Sequence, residues 1–215
     1  MKTFTISLIG LDSQNTIVIG GGRIALRKVE ALLAAGAKIS VISPELTPEL
    51  KNLNEIGSIN AYERPYRSGD LQGAFLVITA TNDPAVNQAV WEESQRVGCL
   101  INVVDCPNLS NFIMPAVLRR GDLSLAISTG GASPALARRL RERLEEQIGP
   151  EFGDLVELLA ELRPELQARF KPGGPRLAAA LDLVDSDLLQ ILKDYGYQTA
   201  RGYALARLAG NQMDD

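Results

Sequence analysis

The sequence predicts an α/β protein, with a parallel sheet in its first half and a small all-helical region at its carboxyl end. Between residues 16 and 104, short β-rich runs alternate with helical stretches, which is typical of a parallel sheet. The runs are nearly continuously apolar, as strands buried on both faces must be. From residue 151 onward the periodicity is helical throughout. A chain of 215 residues that is 46% hydrophobic can form one sizeable domain and a small second one.

Strands and crossover helices account for the first half of the chain. The strands are predicted at residues 16–19, 38–42, 74–79 and 100–104, with a weaker edge strand around 58–62. A crossover helix joins the first two strands, because apolar residues fall on one side of it at helical spacing: Ala25, Val29, Leu32 and Leu33. Its polar residues fall elsewhere, namely Arg23, Arg27, Lys28 and Glu30. Residues 84–97 supply a second helix.

The second half begins with residues 122–128, where apolar and polar side chains alternate. This pattern predicts one more strand, with one face more exposed to solvent. A helix follows, with Ser133 as N-cap and Pro134 in its first turn. A long helix is expected from Glu151, with a possible kink at Pro164. Residues 171–175 read Lys-Pro-Gly-Gly-Pro and break it, and two or three short helices close the chain.

Composition excludes several classes of function. The chain has no histidine, so it cannot by itself build a Ser-His-Asp triad, a Cys-His dyad or a histidine zinc site. Its 22 Lys+Arg against 26 Asp+Glu give a formal charge of −4, which disfavours a protein that coats nucleic acid. Cys99 and Cys106 are too few for a disulfide scaffold, and no uncharged apolar run approaches the roughly 20 residues of a membrane helix. We expect a cytoplasmic protein without a bound metal, a nucleic-acid partner or a membrane partner.

A glycine turn follows the first strand and opens the crossover helix. Residues 20–25 read Gly-Gly-Gly-Arg-Ile-Ala, a G-x-G-x-x-A pattern inside a βαβ unit. In such a pattern Gly20 permits the tight turn, Gly22 lets a pyrophosphate approach the backbone, and Ala25 keeps helix and strand close. The N–H groups at the start of the helix then bind the phosphates. The sequence therefore predicts a Rossmann-like dinucleotide-binding domain.

The second strand ends in Ser43-Pro44-Glu45, where an acidic residue for the adenosine ribose is expected about 20 residues after the glycines. Glu45 is available for that ribose, and no arginine lies beside it to receive a 2′-phosphate. We therefore expect NAD rather than NADP. The alternative is that Glu45 is a solvated loop residue or a charge at the start of a helix.

Asp105 is the candidate acid/base residue. It comes just after the strand at residues 100–104, and ligands bind at the carboxyl ends of parallel strands. In a chain without histidine, a carboxylate at this position is the natural group for proton transfer. The alternative is a strand-end aspartate that forms an Asx turn near Pro107.

A third cluster, residues 128–134, reads Ser-Thr-Gly-Gly-Ala-Ser-Pro and concentrates hydroxyls and backbone donors before a helix. Six arginines lie between residues 119 and 143 against only Asp122 and Glu142, a local net charge of +4. Because guanidinium groups match carboxylates, we expect an anionic small molecule here. The alternative is an amphipathic helix whose arginines form a solvated face.

Five motifs together resemble the precorrin-2 dehydrogenase family of sirohaem synthesis: VIGGGRIALRK (18–28), ATND (80–83), NVVD (102–105), NFIMPA (111–116) and STGGASP (128–134). The resemblance covers about residues 5–150 in the correct order. Members of that family use NAD to convert precorrin-2 to sirohydrochlorin, and several also insert Fe²⁺ to give sirohaem. The resemblance implies an NAD-binding Rossmann domain over 1–115, a dimerisation and tetrapyrrole-binding segment over 116–150, a helical domain over 151–215, and a homodimer.

The resemblance also implies roles for particular residues. Asp105 matches the family's catalytic aspartate. The implied cofactor contacts are Gly20, Gly22, Arg23, Ile24, Ser43, Pro44, Glu45, Thr81, Asn82 and Asn102. The expected tetrapyrrole contacts are Asn111, Ser128, Thr129 and Gly130, with Arg138 from the arginine cluster. Precorrin-2 carries eight carboxylates, which suits an arginine-rich segment.

Two other functions compete with this interpretation. An NAD(H)-binding regulatory module would bind the dinucleotide without turnover, but it leaves the cluster at residues 128–134 and the arginines unexplained. A short-chain dehydrogenase is excluded, because none of the five tyrosines is followed by Lys four positions later.

Overall fold

A computed structural model describes residues 3–210. The chain divides into two compact units between Met114 and Pro115. Within the described residues, no helix is both long and apolar enough to cross a membrane.

The first unit is built on five parallel strands. They are β1 (Asn15–Ile19), β2 (Lys38–Ser43), β3 (Asn60–Glu63), β4 (Leu76–Thr79) and β5 (Leu100–Val103), in the order β3-β2-β1-β4-β5. Three helices connect them: α1 (Arg23–Leu33), α2 (Pro48–Glu55) and α3 (Pro84–Val97). Because the chain moves outward in both directions from β1, the strand order reverses between β1 and β4. The carboxyl edge at such a point is where open α/β sheets bind ligands.

Both faces of this sheet are covered, which explains why its central strands are apolar without alternation. On one face Val18 and Ile78 pack with Val29 of α1 and Leu50 of α2. The opposite face packs against α3 through Val90. All four residues of β4 are buried.

A buried carboxylate closes the loop that leads into β4. Glu93 on α3 is 3% exposed and accepts hydrogen bonds from Gly69 N at 3.0 Å and Leu71 N at 2.9 Å. The Tyr66 hydroxyl donates a further one. Burial and this contact raise the pKa of Tyr66 well above its ordinary value. Glu93 therefore has a structural role, near the amino end of β4 and away from the ligand edge.

The second unit begins with an antiparallel hairpin, β6 (Ala116–Arg120) and β7 (Leu123–Ile127). Five helices follow: α4 (Pro134–Gln147), α5 (Glu151–Arg169), α6 (Gly174–Val184), α7 (Leu188–Tyr195) and α8 (Tyr197–Gly210). Helices α5 to α8 share a leucine core that includes Leu158, Leu183, Leu188 and Leu208, each fully buried.

The fold class predicted from the sequence is confirmed. The structure differs locally from the prediction: α2 and β6 were not predicted, β3 and β4 each begin two residues later than expected, and α6 begins inside the breaker, at Gly174. Helix α5 runs through Pro164 to Arg169 as one element. The three-part division into domains stays a prediction.

Candidate functional site

The turn after β1 is packed tightly against its two neighbouring loops. Gly20 N donates a hydrogen bond to the Ile42 carbonyl oxygen at 2.9 Å. A Cβ atom on Gly20 would lie 2.8 Å from the Ala80 carbonyl carbon, and the φ of Gly20 is +119°. A Cβ atom on Gly21 would lie 2.9 Å from Ser43 Oγ and closer still to a backbone oxygen of the same loop. The fold itself therefore requires glycine at positions 20 and 21.

Gly22 differs, because the space around it is open. Within residues 3–210, no heavy atom beyond its own chain neighbours lies within 4 Å of the position of a Cβ atom on Gly22. Its φ of −85° suits any residue, and it precedes α1 without a side-chain cap from the described chain. A ligand can thus reach the first N–H groups of α1 across Gly22. This is the cradle that a dinucleotide pyrophosphate needs.

The first residues of α1 also face outward. Arg23 is exposed, and the Ile24 side chain is 44% exposed. An exposed isoleucine beside an open helix start provides an apolar contact for a bound ligand.

The loop after β2 lies directly against the glycine turn. Ser43 is buried at the end of β2, whereas Pro44 and Glu45 are exposed. Helix α2 starts only at Pro48 and is capped by Thr47, so Glu45 is not a charge in its first turn. Within residues 3–210, the Glu45 carboxylate takes part in no hydrogen bond or ion pair. Its position next to the turn suits the ribose contact that the sequence predicts.

The loop after β4 completes the other side of the crevice. Ala80 N donates to the Ile19 carbonyl oxygen at 2.7 Å, which ties this loop to β1. Thr81 is half-buried, with its hydroxyl accepting from Asp83 N at 3.1 Å. Asn82 is exposed. Both residues therefore lie on the loop that borders Gly20.

Asp105 occupies a strained backbone position just after β5. Cys106 N donates to the Val103 carbonyl oxygen at 3.1 Å, so Asp105 is the third residue of a tight turn. Its φ is +60°, the one positive φ of a non-glycine residue in the described chain. That region costs an ordinary L-residue about 1–2 kcal/mol, although aspartate tolerates it better than most. Strained residues of this kind concentrate at functional sites.

The Asp105 carboxylate is exposed, and within residues 3–210 it accepts no hydrogen bond. An Asx turn would require such a bond, so that alternative does not describe this side chain. A strained position with an unengaged carboxylate instead favours a role toward a ligand.

Two asparagine side chains tie β5 to the segment that follows the turn. Asn111 accepts from Ile101 N at 2.8 Å and donates to the Cys99 carbonyl oxygen at 3.0 Å. Asn102 donates to the Phe112 carbonyl oxygen at 3.0 Å. Both side chains therefore fix the chain that flanks Asp105. For Asn111 this is a structural use of the amide that the resemblance assigns to the tetrapyrrole.

Lys28 is a candidate residue that the site predicted from the sequence does not include. The sequence pattern puts it on the polar side of α1, but it is half-buried and its ammonium donates to Met114 Sδ at 3.4 Å. Burial lowers its pKa, the charge of Arg27 lowers it further, and the charge of Asp105 opposes that change. Lys28 follows Ala25 by three positions and precedes Leu32 by four, and that spacing beside the buried stripe was the available signal.

The other predicted tetrapyrrole contacts belong to the second unit. Gly130 has a φ of +62°, and its N–H donates to Ser128 Oγ at 3.2 Å. Thr129 Oγ1 accepts from Ser133 N at 2.9 Å. Ser133 caps α4 through Leu136 N at 3.2 Å, as predicted. The loop is thus held by its own hydroxyls ahead of the helix.

The arginines of α4 are largely paired within the helix. Arg138 and Arg139 contact Glu142 at 2.9 Å and 3.4 Å, and Arg141 pairs with Glu145. Glu145 lies just beyond the window from which a net charge of +4 was counted. The positive charge of this segment is therefore smaller than the sequence count indicates, and the solvated-face alternative accounts for part of it.

Within residues 3–210, no group of three or more acidic or cysteine side chains is placed to hold a metal ion.

Comparisons with known proteins agree with this geometry. A family model for NAD(P)-binding domains matches residues 8–116, and one for the central part of sirohaem biosynthesis proteins matches residues 120–147. Siroheme synthase 1 of Aeromonas salmonicida is 38% identical over 205 residues, which cover 95% of this chain and 42% of the relative. The siroheme synthase of Methylobacillus flagellatus is 42% identical over 176 residues, which cover 82% and 38%.

The chain spans about two fifths of the length of these curated relatives. Among solved structures, SirC, a precorrin-2 dehydrogenase, is similar over 98% of this chain and 100% of its own, with 29% identity and a TM-score of 0.69. The chain therefore belongs to the precorrin-2 dehydrogenase/ferrochelatase family found at the amino terminus of sirohaem synthases, and it carries that family's NAD(P)-binding domain.

Proposed function

We propose that this protein oxidises precorrin-2 to sirohydrochlorin with NAD⁺ as the oxidant. The observation that carries the proposal is the extent of the likeness to SirC, which covers 98% of this chain and the whole of that dehydrogenase. The sirohaem synthases, in contrast, are more than twice as long as the part that this chain matches.

Three loops at the carboxyl edge of the sheet would hold the dinucleotide. The pyrophosphate would lie across Gly22 against the start of α1, and the adenosine ribose would contact Glu45. Thr81 and Asn82 would border the cofactor on the opposite side of the turn. NAD⁺, when bound, supplies the hydride acceptor. The preference for NAD over NADP rests on Glu45, whose exposed carboxylate would repel a 2′-phosphate.

Asp105 would take the proton that leaves the macrocycle. The reaction removes two hydrogens, one as a hydride and the other as a proton, so it needs one base besides the oxidant. The Asp105 carboxylate is exposed, carries no hydrogen bond from residues 3–210, and lies at the ligand edge. A positioned base of this kind contributes about 10²–10⁴-fold to a proton transfer.

The second unit would supply further substrate contacts. Ser128, Thr129 and Gly130 place hydroxyl and N–H groups in one loop, and the Arg138 side chain is 77% exposed. Arg138 would exchange its solvated pairing with Glu142 for a tetrapyrrole carboxylate, at little cost because exposed ion pairs contribute about 0–1 kcal/mol. A homodimer is part of the same proposal.

Insertion of Fe²⁺ into sirohydrochlorin is a second candidate activity. The observation that favours it is again the unengaged Asp105 carboxylate, which could accept pyrrole N–H protons as iron enters. This step needs no additional cofactor, and iron would be a substrate.

The test is an anaerobic assay with precorrin-2 and NAD⁺, followed by absorbance of NADH and sirohydrochlorin. We expect both products from the wild-type protein and a loss of at least about 100-fold with Asp105→Ala. Binding of NAD⁺ without turnover would instead support the regulatory module. Fe²⁺ is then added to sirohydrochlorin, and metal insertion no faster than without protein would exclude the chelatase.

A further inference from the structure

Lys28 combines partial burial with an unusual partner. It lies in the second turn of α1, between the buried residues Ala25 and Val29 and the buried Leu32. Its ammonium has three donors, and the acceptor that the described chain provides is the thioether of Met114 at 3.4 Å. A thioether is a weak acceptor without charge. The ammonium group is therefore held in place but not neutralised.

The charges around Lys28 do not compensate for this burial. Within residues 3–210, Lys28 has no carboxylate within 4 Å, since it forms none of the ion pairs. Arg27 adds a second positive charge, and the negative charge of Asp105 offsets only part of the effect of burial and of Arg27 on the pKa of Lys28. Their combined effect with burial keeps the pKa of Lys28 below its ordinary value. A partly desolvated cation without a counter-ion costs folding free energy, and an anionic ligand would offset that cost.

The geometry points to Lys28 as the residue that binds one carboxylate of the tetrapyrrole beside the Asp105 turn. This inference rests on the proposed function, which provides a substrate with eight carboxylates. Two donors of the ammonium remain for that ligand once Met114 has taken one. The charge of Asp105 acts on Lys28, so a carboxylate anchored at Lys28 would help to orient the macrocycle relative to the base.

The test uses Lys28→Met, which keeps the length of the side chain and removes the charge. Lys38→Met is the matched control, because Lys38 is exposed at the first residue of β2, at the opposite end of the sheet. Sirohydrochlorin is titrated anaerobically into each variant by absorbance, with no turnover required. NAD⁺ affinity and thermal stability are measured on the same samples.

We expect Lys28→Met to weaken sirohydrochlorin binding by about 10-fold or more, as for a lost hydrogen bond between charged groups. NAD⁺ affinity should stay within about twofold, and Tm should not fall, because the substitution removes a desolvated charge. Lys28→Arg should retain most of the affinity, and Lys38→Met should match the wild type.

Each other outcome overturns a defined claim. Unchanged sirohydrochlorin affinity in Lys28→Met, with binding by the wild type, refutes the role of Lys28 and leaves the proposed function intact. A fall in Tm in Lys28→Met shows a structural role for Lys28, and a loss of NAD⁺ affinity shows a role in cofactor binding. Either result refutes the proposed role of Lys28 in tetrapyrrole binding. A wild-type protein that binds no sirohydrochlorin overturns the proposed function and this inference together.

Discussion

Substitution of Gly22 by alanine separates cofactor binding from folding, because the three glycines of the turn have different surroundings. A Cβ atom on Gly22 meets open space in the described chain, and its φ of −85° is normal for alanine. The expected stability cost is that of replacing a helix N-cap glycine by alanine, less than about 1 kcal/mol. For a chain of this size, that lowers Tm by no more than about 4 °C.

In the proposed binding mode, the same methyl group lies where the pyrophosphate approaches the backbone. It should prevent at least one charge-assisted hydrogen bond from the first turn of α1, each of which contributes about 1.5–3 kcal/mol. We therefore expect the Kd for NAD⁺ to rise by about 10- to 100-fold. Isothermal titration with NAD⁺ measures this change, and a thermal melt on the same sample measures stability.

Gly20→Ala is the contrasting variant. Its φ of +119° costs an alanine about 1–2 kcal/mol, and the contact with the Ala80 carbonyl group adds an overpacking cost of about 1–3 kcal/mol. A loss of about 3 kcal/mol lowers Tm by about 6–12 °C. If Gly22→Ala binds NAD⁺ as the wild type does while remaining folded, the pyrophosphate does not cross Gly22 and the assignment of this cradle is wrong.

Three further predictions concern the first unit. Asp105→Gly should abolish precorrin-2 oxidation. It should leave the free energy of unfolding equal or higher by up to about 1 kcal/mol, because relief of the strain at the positive φ outweighs the added freedom of the unfolded chain. A variant that is less stable in urea unfolding would contradict the strain argument. Glu93→Gln should lower the free energy of unfolding by about 2 kcal/mol in the same assay, because an amide replaces a buried carboxylate that accepts hydrogen bonds from N–H groups at 2.9–3.0 Å. Its affinity for NAD⁺ should not change. The Arg64 guanidinium lowers the pKa of Asp70 by a bidentate contact at 2.8 Å, so this pair stabilises the fold above about pH 4, and the stabilisation is lost as the pH falls below that value. Arg64→Met should remove this part of the pH dependence of unfolding. If wild type and variant show the same dependence of stability on pH, the role of the pair is refuted.

Local patterns allowed most of the first unit to be predicted. The glycine turn and the strands around it were visible because glycine spacing and apolar runs act over a few residues. Helix α2 was missed because it is short and buries only Leu50, which leaves no periodicity to detect. Strand β6 was missed because its side chains do not alternate in character and it ends in Arg119-Arg120. Helix α2 is fixed by the packing of Leu50 against distant residues such as Val18, whereas β6 is fixed by its pairing with the neighbouring strand β7.

The site shows the same limit at the level of single residues. The motif predicts a tight turn at Gly20 and contact with the ligand at Gly22. It makes no prediction for Gly21. The structure adds that Gly21 is as constrained as Gly20, through the loop after β2. The spacing of Lys28 beside the buried stripe is a local signal, but its contact with Met114, 86 residues away, has no signal in the sequence nearby.

Three features of the first unit are locally unfavourable. Among residues 3–210, Asp105 has a positive φ, Lys28 is a partly buried cation without a counter-ion, and Gly22 leaves the start of α1 without a side-chain cap. Folding alone would favour glycine at 105, an apolar residue at 28 and serine or aspartate at 22. Binding and oxidation of an anionic ligand would reverse all three preferences: the reaction needs a base at position 105, and the anionic groups need a cation at position 28 and an open helix start at position 22. This shared requirement supports the proposal that the three residues serve one site more strongly than any of them does alone.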